Sequence, residues 1–579
     1  MNLLLLDFES YYDKDYSLGK MPTMQYIRDE RWQTLGCALQ GLPVSDRPVY
    51  LRPGELEPAL DSIPWDTTCA VAHNAAFDGA VLKHHYGHAP AQWIDTMLLM
   101  RWAIGQGHLP ADLTTRLAAA GDYLGIQKGD TRAALDAGGE AEADYACQDV
   151  RIMAKLLKLL LSFRPPLLER LLVDLHVRMA AEPVLEIDQQ MLEETAKQKP
   201  DDAAVALRKK AIFASALRAK GIEPEMKTSP RTGKQDYAFA KKDPFMQTLA
   251  EHGDPVVRHL HKLRTEGTSN LLQTRAQRFL EVGSPFPVPL LYYGAHTGRA
   301  SGLDRMNLQN LPRKGPLRAA IAAPEGFELV VIDLAQIEVR VLAWLAGERW
   351  LLDAFAKGED VYTVFAANEL YHKPQADVTK AERTVAKAAV LALGFGQGAL
   401  GFVEYCQAFG IPMDQRQAEG IVRAYRDSVP AITAHWRHTM DTVIDTQQTR
   451  LPSGRVLTYP NLRQQGREWV FDRHQIFSKQ RVGQRDVIKL WHGIVVENQV
   501  QAAARDVVMA QTIHVAEHYR VVLSVHDELV MCVPTEQAEE ALAFAEGAFA
   551  QPPEWADGLP VKGEGGIGQT YADAKAAAG

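Results

Sequence analysis

Acidic residues next to apolar, β-branched runs are the strongest chemical signal in the C-terminal half of the chain. The run Leu329–Ile332 leads into Asp333, and apolar residues then recur at helical spacing. Further on, two β-rich runs flank His526, Asp527 and Glu528, which predicts a hairpin with acids at its tip. An isolated Asp333 would be a helix cap, but a carboxylate ending a buried strand is costly unless it is paired or holds a metal. Two Asp residues on adjacent strands are able to hold a pair of Mg²⁺ ions for phosphoryl transfer.

Between these sites lies an alanine-rich stretch that ends in a glycine cluster. Arg383 and Lys387 are four residues apart, so they share one face of a helix, and Leu391 and Phe395 are expected to continue that face. A solvated basic helix is the plainer alternative. The pattern also suits a nucleoside triphosphate, with cations for phosphates, an apolar surface for sugar and base, and glycines as a pivot.

A second set of carboxylates lies in the N-terminal region. Alternation along an extended strand puts Asp7 and Glu9 on one side, and Asp78 follows a strand and a turn at a helix start. Tyr145 and Asp149 are four apart on a predicted helix and share a face. Singly, each is explained by ordinary structure, for example Asp78 as a helix cap. Asp95, by contrast, is expected to be a capping or supporting residue.

Polar and basic residues follow in the middle of the chain. Residues 167–289 are predicted to be mostly helical, with a basic turn at Lys227–Lys234 and a cationic helical stretch at Asp254–Leu280. A solvated charged face is the simpler explanation for any one of these cations. Amides and Arg in the next stretch suit minor-groove edges and phosphates, although a structural loop remains an alternative; they are Thr297, Arg299, Asn307, Gln309 and Asn310.

Composition sets broad limits on the protein. The 579 residues, 46% of them hydrophobic, suffice for several domains. Five cysteines without metal-site spacing indicate reduced thiols in a cytosolic setting. No signal peptide or membrane span is expected. The net charge of -9 argues weakly against a nucleic-acid binder, but the placement of cations matters more than the total.

Together these stretches resemble a known family. The segments around Asp333, Arg383 and Asp527 look like motifs A, B and C of family A DNA polymerases. Tyr293–Ser301 and Asn307–Pro312 are similar to that family's primer-template-binding stretch. The N-terminal carboxylates and their tyrosine resemble a DEDDy-type 3′–5′ exonuclease. The resemblance implies an α/β multidomain fold, with a ribonuclease H-like exonuclease domain and a right-hand polymerase of palm, fingers and thumb.

The resemblance also implies a domain order. Five consecutive segments are expected: residues 1–163 as the exonuclease domain, 164–315 as thumb and start of palm, 316–350 as palm with motif A, 351–440 as fingers with motif B, and 441–579 as palm with motif C and the tail. The tail from Thr535 onward is assigned no chemistry. No 5′-nuclease domain is expected before Asp7, a compact form similar to phage replicases.

The implied function is a DNA-dependent DNA polymerase that adds dNTPs to a primer 3′ end by two-metal phosphoryl transfer, with a proofreading 3′–5′ exonuclease. Two Mg²⁺ ions are expected at each site, with Mn²⁺ as a substitute. Asp333 and Asp527 would hold the polymerase pair, supported by Glu528. The exonuclease pair would be held by Asp7, Glu9, Asp78 and Asp149, with Tyr145 orienting the attacking water.

Residues in contact with substrates follow from the same resemblance. Arg383 and Lys387 would bind the triphosphate, Glu338 would block a ribose 2′-hydroxyl, and Gln336 is counted with the nucleotide-binding set. Leu391 stands where the family usually has an aromatic ring beside the incoming sugar, so the family's usual dideoxynucleotide discrimination is not carried over to this chain. Phe395 stands where the family usually has Tyr, and the loss of that hydroxyl implies that Glu338 is held less rigidly. The expected DNA-binding residues are Arg299, Gln309, Asn310, Arg455, Gln501 and His526, the last at the primer end.

The implied partners are primer-template DNA and dNTPs, with a processivity factor or other replisome proteins, no membrane and a monomeric state. The expected location is the cytoplasm, that of the host cell if the protein is phage-encoded. Three alternatives stay open. A single-subunit RNA polymerase is disfavoured by Glu338 and by the exonuclease domain. A nuclease whose polymerase half only grips DNA predicts hydrolysis without dNTP dependence. A non-catalytic replication scaffold is disfavoured by the complete set of metal-ligand acids.

Overall fold

The structure is a computed structural model that describes residues 2–129, 133, 139–198, 202–228, 235–240, 243–265, 271–312, 314–478, 480, 482–484 and 486–578. The chain forms two compact units. The larger unit comprises Met1–Glu186, Ser284–Leu311 and Ile321–Gly579, and the smaller one comprises Ile187–Gly283 and Pro312–Ala320. The five segments expected from the sequence stay a prediction.

Helices and strands are numbered here in chain order. The described α-helices are α1 (Thr23–Arg28), α2 (Pro53–Asp61), α3 (Ala75–Tyr86), α4 (Thr96–Gly105), α5 (Leu117–Tyr123), α6 (Gly139–Ser162), α7 (Leu167–Ala181), α8 (Gln189–Lys197), α9 (Asp202–Leu207), α10 (Lys210–Arg218), α11 (Pro244–Ala250), α12 (Pro255–Thr265), α13 (Leu271–Val282), α14 (Pro316–Ala319), α15 (Ile337–Ala346), α16 (Arg349–Ala356), α17 (Val361–Phe365), α18 (Lys380–Leu393), α19 (Ala399–Ala408), α20 (Gln415–Ser428), α21 (Pro430–Thr446), α22 (His492–Ala516), α23 (Ala538–Phe549) and α24 (Tyr571–Ala577). The described strands are β1 (Asn2–Ser10), β2 (Thr34–Gly41), β3 (Ser45–Leu51), β4 (Thr68–Ala72), β5 (Gln92–Asp95), β6 (Glu186–Ile187), β7 (Met226–Thr228), β8 (Gln235–Tyr237), β9 (Leu290–Leu291), β10 (Ser301–Gly302), β11 (Ile321–Ala322), β12 (Phe327–Leu334), β13 (Gln448–Arg450), β14 (Val456–Thr458), β15 (Arg463–Gln465), β16 (Glu468–Asp472), β17 (Val487–Leu490), β18 (Val521–Val525), β19 (Glu528–Pro534) and β20 (Gly563–Gly568).

A five-stranded sheet organises the N-terminal part of the larger unit. Its strand order is β3-β2-β1-β4-β5. Strands β1, β4 and β5 run parallel, whereas β2 and β3 are antiparallel to their neighbours. Helix α6 covers one face, where Ala146, Val150 and Met153 join Leu5 and Val71 in one buried cluster. Burial of this apolar face holds β1 and its acidic positions in register.

A four-stranded antiparallel sheet forms the second centre of the larger unit. Its order is β18-β19-β12-β20, and β12 is one of the two central strands. The apolar residues Leu329–Ile332 of β12 are all fully buried. Helices α23 and α24 pack against β20, and the long helix α22 packs against α15 and α21. The β-branched run therefore forms a central strand that ends close to Asp333.

Smaller elements complete the larger unit. Helices α18, α19 and α20 pack against one another. The hairpin β13–β14 and the three-stranded sheet β15-β16-β17 share a hydrophobic core with α22, in which Leu457, Tyr459, Phe471, Leu490 and Val495 are buried. These elements surround the start of α22.

The smaller unit consists of α8–α14 and the hairpin β7–β8. Its core contains Phe213, Leu217, Phe239, Met246 and Leu249. The predicted stretch Asp254–Leu280 forms two helices, α12 and α13, and residues 266–270 between them lie outside the described part of the chain. The predicted basic turn Lys227–Lys234 also lies mostly outside it.

Most of the local predictions that frame the sites are confirmed. Strand β12 ends one residue beyond Asp333 and α15 follows, and the hairpin β18–β19 turns at His526. One local prediction is wrong: α18 ends at Leu393, and Phe395 lies in a turn where Gly396 has a φ of +76°. Phe395 therefore does not continue the face of the basic helix, because the helix ends at Leu393 and the chain turns away through Gly394 and the left-handed Gly396.

No α-helix among the described residues combines the length and apolar character needed to cross a membrane.

Candidate active sites

The turn between β18 and β19 brings the C-terminal acidic residues to the end of β12. Asp333 is the register partner of Glu528, and the backbone N–H of Leu334 donates to the carbonyl oxygen of Asp527 over 3.0 Å. The turn is tight without glycine because His526 adopts a left-handed φ of +55°. The structure thus brings together three predicted site residues, Asp333, Asp527 and Glu528, named here the hairpin acidic cluster.

A lysine and a tyrosine from the C-terminal helix α24 complete this cluster. The Lys575 Nζ atom lies 2.5 Å from Oδ2 of Asp333 and 2.6 Å from Oε2 of Glu528. The Tyr571 hydroxyl donates to Oε1 of Glu528. The sequence analysis missed both residues. Their four-residue spacing in a helical tail was the only signal, and it points to a shared face without indicating a partner.

Burial raises the proton affinity of the two aspartates of the hairpin acidic cluster. It raises the pKa of Asp527 to about 7, with a further contribution from the neighbouring Asp333 carboxylate. It also raises the pKa of Asp333, against the opposing effect of Lys575. The Oδ1 atom of Asp333 is buried and has no hydrogen-bond partner. A buried, unpaired carboxylate oxygen next to a second carboxylate fits a divalent cation, because such ions prefer oxygen ligands.

Glu338 lies in the first turn of α15, one turn beyond β12, and is held by an arginine. The Arg299 Nη2 atom donates to Oε1 of Glu338 over 2.7 Å. Arg299 therefore supplies Glu338 with a charged partner that does not depend on position 395, and the looser hold expected from Phe395 stays a prediction. Gln336 is half-buried at the start of the same helix, with a left-handed φ of +56°.

Three predicted DNA-binding residues lie around one small pocket of about 20 Å³. Arg299, Gln309 and His526 all line it. Gln309 is only 8% exposed, whereas Asn310 is exposed. Burial lowers the pKa of His526, with Arg299 acting in the same direction, which favours a neutral imidazole. The structure thus places these three side chains beside the hairpin acidic cluster.

Helix α18 presents the predicted phosphate-binding cations. The Nε and Nη2 atoms of Arg383 donate to the Asp360 carboxylate over 2.6 and 3.1 Å. The cationic groups of Arg383 and Lys387 lie 5.4 and 5.8 Å from the ring centroid of Tyr362. Lys387 is exposed, and Leu391, one turn further along the helix, is half-buried. The two cations therefore share a face, as predicted, but Arg383 already has an acidic partner.

Arg455 is not a DNA-binding residue in this structure. It is only 5% exposed, and its Nε atom donates to Asp506 over 2.8 Å. Its Nη1 atom donates to the Tyr293 hydroxyl over 2.9 Å, and its Nη2 atom donates to two backbone carbonyls. The prediction is wrong because burial leaves this guanidinium no outward-facing donor. Gln501, by contrast, is half-buried on α22 and donates to Glu497 over 3.2 Å.

The N-terminal acidic cluster, which consists of Asp7, Glu9 and Asp149, forms a second site. Each residue offers one carboxylate oxygen such that all these atoms lie within 4.8 Å of one another. Strand β1 places Asp7 and Glu9, and α6 places Asp149 together with the buried Tyr145. Asp78, on α3, lies beside the cluster and accepts from the backbone N–H of Phe8 over 3.0 Å.

The electrostatics of this second site parallel those of the first. Burial, followed by the Asp149 charge, raises the pKa of Asp7 to about 7. The Lys128 ammonium contacts Oδ2 of Asp149 and lies 5.0 Å from the ring centroid of Tyr145. Oδ1 of Asp149 is buried without a hydrogen-bond partner. This cluster also fits a divalent cation. Lys128 was missed by the sequence analysis.

Asp95 has the capping role that the sequence predicts. Its carboxylate accepts from the backbone N–H groups of Met97 and Leu98 at the start of α4. It also accepts from Asn74 and Ala75 at the start of α3. Asp95 therefore fixes two helix ends close to Asp78 rather than joining the acidic cluster.

Comparisons with known proteins agree with this geometry. The sequence profile of DNA polymerase family A matches residues 209–573. A DNA polymerase of Bacillus phage SP02 is 31% identical over 283 residues, which are 44% of this chain and 43% of that protein. DNA polymerase I of Pseudomonas aeruginosa is 30% identical over 42% of this chain and 25% of its own length. The thermostable DNA polymerase I of Thermus aquaticus is 29% identical over 48% of this chain and 31% of its own length.

A solved structure matches the fold along nearly the whole chain. It is the POL domain of Pol1 from M. smegmatis in complex with a DNA primer-template and dNTP. The match has a TM-score of 0.68 and 18% sequence identity, and it covers 99% of this chain and 96% of that one. The curated relatives are matched over less than half of their own length. Since the family profile matches more than half of the chain, the chain belongs to DNA polymerase family A.

Proposed function

We propose that the protein is a DNA-dependent DNA polymerase that adds dNTPs to the 3′ end of a primer. The observation that carries the proposal is the hairpin acidic cluster, where Asp333 and Asp527 lie side by side in a chain of family A. The unpaired Oδ1 atom of Asp333 supports a role as a cation ligand. Asp333 and Asp527 would hold two Mg²⁺ ions, which when bound supply charge neutralisation at the transferring phosphoryl group.

The nucleotide would bind along α18 and against α15. Lys387 is exposed and would approach the triphosphate directly. Arg383 would exchange the Asp360 carboxylate for a phosphate, because a guanidinium binds both groups in a bidentate manner. Leu391 and Phe395 would contact the sugar and base. Glu338, held by Arg299, would exclude a ribose 2′-hydroxyl. Each group positions the nucleotide, which is most of what a protein contributes to phosphoryl transfer.

The primer-template would contact the polar residues around the small pocket and on α22. Arg299, Gln309 and His526 line the pocket, and Asn310 and Gln501 lie outside it. Contacts of this kind to phosphate, sugar and minor-groove edges position a duplex without reading its sequence. The smaller unit would correspond to the thumb, residues 316–350 and 441–579 to the palm, and residues 351–440 to the fingers. Replisome partners and a monomeric state are part of the same proposal.

The N-terminal part would be a proofreading 3′–5′ exonuclease with a ribonuclease H-like fold. Support comes from its sheet of parallel and antiparallel strands and from the convergence of Asp7, Glu9 and Asp149 beside Asp78. These four acids would hold two Mg²⁺ ions, and Tyr145 would orient a water molecule. Burial raises the pKa of each of these four acids. They therefore need a compensating cation to be ionised together. A phage-type replicative role completes the proposal.

The test is extension of a 5′-labelled primer on a DNA template with Mg²⁺, with and without dNTPs. Asp333→Ala should abolish elongation and keep shortening, whereas Asp7→Ala should abolish shortening and keep elongation. Glu536→Ala removes an exposed acid that follows β19 and is the matched control for both. Shortening without any elongation in the wild type would support a nuclease that grips DNA. Efficient use of rNTPs would support an RNA polymerase, and neither activity would support a scaffold.

A further inference from the structure

Lys575 joins two acidic residues that face each other across neighbouring strands. Its Nζ atom contacts Oδ2 of Asp333 over 2.5 Å and Oε2 of Glu528 over 2.6 Å. The hydroxyl of Tyr571, one turn earlier on α24, donates to the other oxygen of Glu528. Both carboxylate oxygens of Glu528 therefore have protein partners. The residue is only 5% exposed.

Two glycines in β20 set the position of this lysine. A Cβ atom on Gly566 would lie 2.4 Å from the backbone nitrogen of Ala578, and one on Gly568 would lie 2.5 Å from that of Ala574. Any side chain at either position would displace α24 from the sheet. Close packing of α24 on β20 is thus what allows Lys575 to reach Asp333.

The acids that Lys575 neutralises belong to a row across the sheet. Asp333 faces Glu528 on one side and Glu564 on the other. Like charges directly opposite one another destabilise a sheet. Lys562 pairs with Glu564 over 2.8 Å, and Lys575 pairs with the other two acids. The two lysines are a natural comparison, because both bind acids of the row and only Lys575 binds Asp333 and Glu528.

We infer that Lys575 is a positioning residue of the hairpin acidic cluster: it holds Glu528 away from the cation and leaves Asp527 and Oδ1 of Asp333 to bind it. Glu528 is then a clamped support rather than a ligand. The catalytic consequence of this arrangement rests on the proposed polymerase function. Its consequence for cation binding does not, because it follows from the charges and contacts alone.

The experiment compares Mn²⁺ binding with catalysis in the full chain. Titration calorimetry with Mn²⁺ would use an Asp7→Ala background, and the binding lost on adding Asp333→Ala is assigned to this cluster. Lys575→Met should tighten that binding at least about tenfold, because it removes a cation within contact distance and frees two carboxylate oxygens. The same change should lower the rate of primer extension at least about tenfold, because Glu528 and Asp333 are no longer held in place.

Opposite changes in binding and rate are what distinguish this role from a purely structural one. Lys575→Arg keeps the charge, so a cation still lies between the two acids. Its Mn²⁺ affinity and its rate of primer extension should both stay within about threefold of wild type. Lys562→Met is the matched control and should change neither. Should Lys575→Met fail to fold, Lys575→Gln keeps a donor, removes the charge and should shift binding in the same direction.

Unchanged or weaker Mn²⁺ binding in the folded Lys575→Met or Lys575→Gln variant would overturn the inference. Wild-type protein that fails to extend primers would instead overturn the proposed function. The Mn²⁺ comparison would still decide the role of Lys575 in that case, so the two failures are distinguishable.

Discussion

Arg299 donates from Nη2 to Oε1 of Glu338 over 2.7 Å, and this contact links the proposed primer-binding pocket to the proposed sugar-selecting residue. The side chain of Arg299 is 16% exposed and that of Glu338 is 35% exposed. The carboxylate therefore faces both protein and solvent, in an orientation that the arginine restricts. A ribose hydroxyl would have to compete with this ion pair for space and for hydrogen bonds.

Arg299→Ala should therefore lower the preference for dNTP over rNTP. We expect a loss of about threefold to tenfold, because charge-assisted hydrogen bonds contribute about 1.5–3 kcal/mol when buried and less when partly exposed. The measurement is the ratio of kcat/KM for dNTP and rNTP in single-nucleotide incorporation. Arg305→Ala, an exposed arginine of the same segment, is the control. Equal losses for both nucleotides would indicate that Arg299 acts only on DNA.

A buried ion network ties α7 to α22 beneath this pocket. Both Nη atoms of Arg505 donate to the Glu169 carboxylate, over 2.7 and 2.9 Å, and the Tyr292 hydroxyl also donates to it. Glu169 is 2% exposed. Burial alone would raise the pKa of Glu169, but the contact with Arg505 outweighs it and lowers the pKa to about 2.

Glu169→Gln should destabilise the protein by about 3–5 kcal/mol at neutral pH, because it leaves the buried Arg505 and Arg455 to share the single negative charge of Asp506. A carboxyl with a depressed folded-state pKa stabilises above its unfolded pKa of 4.5, and this stabilisation is lost as the pH falls toward about 2. The gap in unfolding free energy between wild type and variant should thus narrow as the pH falls below 4.5. Denaturant titrations at several pH values measure it. A gap independent of pH would contradict a charged Glu169.

Short-range periodicity is what made the acidic sites predictable. Asp7 and Glu9 alternate along one strand, and Tyr145 and Asp149 occupy one helix face, so local geometry already constrains each pair. The β-branched run that ends beside Asp333 is equally local in origin. Such patterns depend only on the backbone period, which the sequence carries directly.

The contacts of Lys128 and Lys575 and the burial of Arg455 depend on tertiary packing, which no local pattern reveals. Lys575 is separated from Asp333 by 242 residues, and it reaches the carboxylate only because glycines seat its helix on β20. Arg455 lies in a turn that resembles a DNA-binding one, yet the structure buries it against Asp506. Burial of a polar side chain is decided by the surrounding elements, and a single sequence does not show which elements those are.

Lys128 is expected to support the proposed exonuclease site. Its ammonium contacts Asp149 and packs against Tyr145. Lys128→Met should slow primer shortening at least about tenfold, because Asp149 and Tyr145 lose the group that orients them. Primer extension should stay unchanged. Shortening without dNTPs, measured beside extension, provides both readouts, and Lys155→Met, on the exposed side of α6, is the control. Shortening at the wild-type rate would assign Lys128 no part in the site.

Asp360 is expected to compete with the incoming triphosphate for Arg383. It accepts from the Nε and Nη2 atoms of Arg383 and also from the Thr363 hydroxyl. Asp360→Asn keeps an acceptor for Thr363 and removes the charge that holds the guanidinium. The KM for dNTP should fall about twofold to fivefold, because a partly exposed ion pair contributes only about 0.2–1 kcal/mol.

The rate at saturating dNTP should stay the same, because Asp360 leaves Arg383 once the triphosphate binds. Steady-state incorporation of a single nucleotide measures both constants. Asp377→Asn, an exposed acid in the segment before α18, controls for the change in net charge. A KM that rises in Asp360→Asn would mean that Asp360 positions Arg383 for the triphosphate instead of competing with it.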